Sequence, residues 1–98
     1  MQASAVKEKL SQVDYSKEIT KDEAVVIAQN HILSHKIRVY SLWPSVQESN
    51  SIYFRNKLVD VWRVLFTQRR ADYLFLPVTY EIDISIKNGD IVGSSDWV

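Results

Sequence analysis

The sequence predicts an α+β fold: one main helix over about residues 21–35, packed on a curved antiparallel sheet of four to five strands, with a short N-terminal helix. Three observations predict it. The stretch Thr20-Lys21-Asp22-Glu23 is a capping box that opens an apolar stripe at helical spacing. Beyond residue 36 the apolar period falls from near 3.6 to 2. The C-terminal stretch 77–97 alternates dry and wet side chains up to a turn at Asn88-Gly89, then returns.

Taken in order, Ala3, Val6, Leu10 and Val13 recur at three-to-four spacing, with Lys7, Glu8, Lys9 and Gln12 on the other sides. This predicts a short amphipathic helix ending near Tyr15-Ser16. Thr20 then caps the main helix, and Asp22 and Glu23 suit its positive end. Ala24, Ile27, Ala28 and His31 form the stripe, while His35 and Lys36 suit the other terminus. Ile37, Val39, Ser41 and Trp43 alternate as a strand that Pro44 stops. SVQESNS (45–51) reads as a polar loop, followed by a short Ile52-Tyr53-Phe54 segment and a turn at Arg55-Asn56-Lys57.

The next strand, 58–66, is apolar on both sides and so reads as central. Residues 67–76 connect it to a strand over 78–87. The Asn88-Gly89 turn admits two registers. A two-residue loop sets Ile91 opposite Ile86 and Trp97 opposite Tyr80. A three-residue loop with Gly89 left-handed puts Val92 on the core face. Glu81 against Asp96 disfavours the first and points to the second, or to a bulge at Gly93. The expected organisation is one domain over 1–98: a helical arm at 1–16, then helix plus antiparallel meander over 18–98.

The 98 residues suffice for one modest core. Twelve basic and twelve acidic side chains cancel, so nothing in the net charge favours nucleic acid or an anionic membrane as partner. The absence of cysteine excludes disulfides, thiol catalysis and cysteine-ligated zinc. No apolar run approaches the ~20 residues of a bilayer span, and the start MQASAVKEKL shows no signal peptide. The compartment stays open.

With these residues in view, EITKDEAVVIAQNHI (18–32) resembles the opening of PepSY-type domains. VDVWRVLF (59–66) followed by YEIDISIKNGDIV (80–92) is similar to their W-x-V strand and terminal hairpin. Trp62, Val64, Tyr80, Ile82, Asp83, Gly89 and Ile91 occupy such positions, and the likeness covers about 18–93. Cystatin-like folds and small NTF2-like immunity proteins look similar as well. The chain departs from a typical PepSY domain in its two-sided strand 58–66 and its basic, aromatic segment 67–76. The resemblance implies a helix-wrapping sheet without catalytic residues, which binds or inhibits peptidases or serves as a module in larger envelope proteins.

The residues themselves offer little chemistry. His31 and His35 share a helix face at metal-binding spacing, but no third ligand or HExxH accompanies them, so no metal is expected. Asp60, Glu81 and Asp83 could gather as acid and base, yet alternation sends Glu81 and Asp83 to the wet face. Neither G-x-S-x-G nor S-x-x-K appears, and two scattered glycines build no phosphate loop. No catalytic residue and no cofactor is expected.

Arg69, Arg70, Tyr73 and Phe75, by contrast, are residue types that anchor protein interfaces. Trp43, before Pro44, and Trp97, at the chain end, join them as rim candidates. If the helix covers one face of strand 58–66, the other carries surplus apolar area for residues 3–13 or another protein to cover. The functional expectation is a non-enzymatic protein-binding module, an inhibitor or immunity-type protein acting on a peptidase or toxin. Its partner would be another protein or a homodimer mate, not nucleic acid or membrane. The competing expectation is an NTF2-like small enzyme or ligand binder, with a pocket using Asp60, Tyr80 or His31.

Overall fold

The main helix begins where its capping box dictates. In the structure, a computed structural model describing residues 2–68 and 78–95, the helix α2 spans Lys21–Ser34, after α1 at Gln2–Leu10. Thr20 Oγ1 accepts from the Glu23 amide at 3.2 Å, and Glu23 Oε1 accepts from the Thr20 amide at 2.9 Å. The second oxygen of Glu23 accepts from the Asp14 amide at 2.8 Å, so one carboxylate also ties the preceding loop. These backbone donors hold the Glu23 carboxyl below its ordinary pKa. At the other end Lys36 is left-handed, with φ 54°. Amides 36 and 37 return to the carbonyls of Leu33 and Ile32, a Schellman closure without glycine.

Four strands follow: β1 (Ser45–Phe54), β2 (Lys57–Gln68), β3 (Val78–Ser85) and β4 (Ile91–Ser94). They form one antiparallel sheet in chain order, so the class is α+β as expected. Trp62, Val64 and Phe66 pair with Ile84, Ile82 and Tyr80. These residues turn one face toward α2, where Ala24, Ile27, Ala28 and Ile32 close a dry core. α1 packs beside α2, burying Val6 and resting Leu10 against the core, where Val13, just after the helix, also packs.

The segment between the helices straps this layer to the sheet. The Ile19 amide donates to the Ile86 carbonyl at 2.7 Å, and the Trp62 indole donates to the Ile19 carbonyl at 2.7 Å. Tyr15 lies over the β3–β4 turn, where a Cβ on Gly89 would stand 2.7 Å from its ring. Gly89 has φ 78°, so this position needs glycine both for its backbone and for space.

Several sequence expectations change here. Residues 37–43 form no strand: Val39 makes one isolated bridge to Gln68, and the Tyr40 amide bonds to Thr67. Their alternation instead reflects Ile37, Val39 and Leu42 tucking against the core. Residues 45–51 are the first part of β1, not a loop. An edge strand needs no apolar face, and polar residues with a bulge between Gln47 and Asn50 guard it against stray pairing. The first turn is Arg55-Asn56 alone, both with positive φ, as a two-residue type I′ loop requires.

β3 ends at Ser85 rather than at residue 87, because the Ser85 amide bonds to Asp90 and the Gly89 amide to Ser85. Ile91 pairs with Ile84 and Gly93 with Asp83, so the bulge falls at Val92. Gly89 is left-handed and Val92 is buried, as in the second register, but the loop is longer than three residues.

Candidate functional site

The most distinctive surface arises from unequal strand lengths. β3 stops opposite Val61, while the β1–β2 hairpin runs on through Lys57–Asp60, paired only with Ser51–Phe54. The helical layer stops short as well, since the strap crosses the sheet at Ile19 over Trp62. Beyond both lies a cross-strand pair, Tyr53 and Leu58, 80% and 62% exposed. Side by side they form a contiguous apolar patch rather than scattered single residues, the kind of surface on which partners dock. Arg55 stands with its guanidinium 5.0 Å from the Phe54 ring centre at the tip.

Between this arm, the strap and the β3–β4 turn is an open cleft of about 1160 Å³. Phe54, Leu58, Val59, Trp62 and Ile86 supply its apolar lining. Glu18, Asp60 and Asp90 stand around it with Lys57 and Lys87. Asp60 accepts from Ser51 Oγ at 2.6 Å across the hairpin.

On the sheet face away from α2, Arg63 Nε lies 3.1 Å from both Glu81 Oε2 and Asp83 Oδ1. The sequence placed both carboxylates in water, but Asp83 is buried. Arg63 flanks it from β2, and Gly93 lets it pack on β4, where a Cβ would stand 2.6 Å from Asp83 Oδ2. Partial burial raises the Glu81 pKa above its ordinary value, reinforced by a hydrogen bond and charge from Asp83 and opposed by Arg63. The open cleft does not reach this trio, which bridges β2 and β3.

The surplus apolar area is not where the sequence put it. Val61 on that same face is fully buried, Val59 and Leu65 are half-buried, and α1 does not cover them because it packs on α2. Among the described residues, the exposed large apolar side chains are Tyr15, Tyr40, Trp43, Tyr53 and Leu58. Of the six candidate interface residues, Arg69, Arg70, Tyr73, Phe75 and Trp97 lie outside the described residues. Trp43 is 73% exposed and rims a separate groove of about 420 Å³ between α1 and α2. Gln29 holds that segment, its Nε2 donating to the Leu42 carbonyl at 2.6 Å.

His31 and His35 stack with ring centres 4.0 Å apart. The described residues contain no group of three His, Asp or Glu side chains suited to a metal. Asp60, Tyr80 and His31 do not converge. Asp60 is on the hairpin arm, Tyr80 is buried with its hydroxyl 3.0 Å from Ser94, and His31 is near the end of α2.

Sequence reading missed Tyr53 and Leu58 as surface residues. The signal available was the type I′ pair Arg55-Asn56, which fixes them opposite each other. Comparison with known proteins finds no matching family model, no similar curated sequence and no similar solved structure.

Proposed function

We propose that the protein is a non-enzymatic binding module that recognises another protein through the hairpin arm and the cleft beneath it. The carrying observation is the exposed Tyr53–Leu58 pair beyond the helical layer, with Leu58 itself lining the partly apolar cleft. Large aromatic and aliphatic side chains beside a concave, partly apolar site are what binding hot spots are made of. One main helix on a four-stranded antiparallel meander is compatible with the PepSY-like and cystatin-like resemblance. An inhibitor or immunity role toward a peptidase or toxin is the corresponding biological reading.

A photo-crosslinking amino acid at position 53 tests it in the native host. The reading expects one discrete protein adduct. The purified partner then binds wild type and fails to bind a Tyr53→Ser, Leu58→Ser double variant. Adducts at position 53 no different from those at the exposed polar position Lys36 would overturn it.

A further inference from the structure

Resting on that reading, we propose that the cleft accepts an extended peptide as an added strand on the free inner edge of β2. The bound segment would continue the line of β3 beside Leu58–Asp60.

The backbone carries the argument. A two-residue type I′ turn makes its closing pair, Phe54 and Lys57, hydrogen-bonded to each other. Pairs then alternate, so the amide and carbonyl of Leu58 point away from β1, toward the cleft. The next outward-pointing residue agrees: the Asp60 carbonyl accepts from the Ile86 amide at 3.0 Å. That bond is the last between β2 and the β3 side among the described residues. The Ile86 carbonyl is turned to the strap, where Ile19 takes it, leaving the Asp60 amide without it. An unpaired strand edge is a template for another chain, and strand addition draws its affinity from such main-chain groups.

The side chains define the occupant's chemistry. Leu58 lies on the same sheet face as Trp62, so the residue set beside it would rest against apolar surface. Its neighbours along the added strand would turn to the opposite face, toward Lys57. Arg55 and Lys57 flank the tip, and no carboxylate occurs between Ser51 and Leu58. The fitting ligand is an extended segment with an apolar residue next to an acidic one, the acid toward the hairpin tip.

The test selects nine-residue peptides from a displayed random library on the full protein, then synthesises the most enriched sequence. Its affinity is measured for wild type, Leu58→Ala and Leu58→Pro. Proline at 58 removes the outward amide and no bond of the β1–β2 ladder. Binding should weaken roughly tenfold more in Leu58→Pro than in Leu58→Ala. As a check that needs no protein variant, N-methylating alternate amides of the peptide should abolish binding in one phase and spare it in the other. Equal binding by the two variants together with no phase dependence overturns strand addition, while the position-53 adduct would still support the protein-binding reading. A selection that enriches no sequence on wild type over Leu58→Pro also overturns it.

Discussion

Residues 57–60 and 61–66 belong to one uninterrupted strand, yet they live in different environments. In the inner stretch Val61 and Val64 are inaccessible and have a strand on each side. In the outer stretch Leu58 is 62% exposed and has a strand on one side only. Propensity favours the inner stretch, with Val61, Trp62, Val64 and Phe66 against Val59 alone in the outer one, yet both are strand. The difference is set by where β3 and the strap stop. The comparison teaches that length mismatch between neighbouring strands can create a surface that neither strand encodes alone.

Substitutions graded along this boundary sharpen the contrast. Ile82→Ala, opposite Val64 under α2, should cost about 2–5 kcal/mol in denaturant unfolding. Gly89→Ala comes next. Its left-handed backbone alone is worth about 1–2 kcal/mol, and the Tyr15 ring must also move. A Gly89→Ala, Tyr15→Ala double variant should relieve the steric part of the loss, but not the backbone part. Trp62→Phe leaves the Ile19 carbonyl without its indole donor and should cost about 1 kcal/mol, loosening the strap. Leu58→Ala, in the arm, should change stability by no more than about 0.5 kcal/mol. A loss comparable to that of Ile82→Ala would mean the arm supports the fold, and the contrast would break.

The smallest expected effect concerns pH. Glu81 has a raised pKa, so between its unfolded value and that raised value the folded chain holds a proton that the unfolded chain has released. Its contribution to stability therefore declines as pH climbs through that window from about 4.5. Glu81→Gln should flatten that decline. Glu23 has the opposite sign: its lowered pKa gives stability that is present above 4.5 and lost as pH falls through the folded value. Unfolding free energies across pH 3–7 for the wild type, Glu81→Gln and Glu23→Gln, read as slopes, check both directions.

How much of this was legible follows the range of each interaction. The capping box and α2 could be read because their partners are within a few residues, and so could the place of the first turn, though not its two-residue length. The core face of β3 could be read because Tyr80, Ile82 and Ile84 alternate cleanly. β1 was lost because an edge strand of Ser, Gln and Asn residues carries no apolar period. The burial of Asp83 was hidden because it depends on Arg63 and Gly93, 20 and 10 positions away in the chain. The overshooting arm was hidden for the same reason. Its existence rests on the Val61–Ser85 register, fixed across a long connection that local pattern does not constrain.

Amide hydrogen exchange in the unliganded protein interrogates that register most directly. Two adjacent amides should behave oppositely: Leu58 exchanging fast, because its N–H faces the open cleft, and Val59 slowly, because its N–H enters the β1 ladder. A strongly protected Leu58 amide would contradict the account, since it would mean the inner edge of β2 is already occupied.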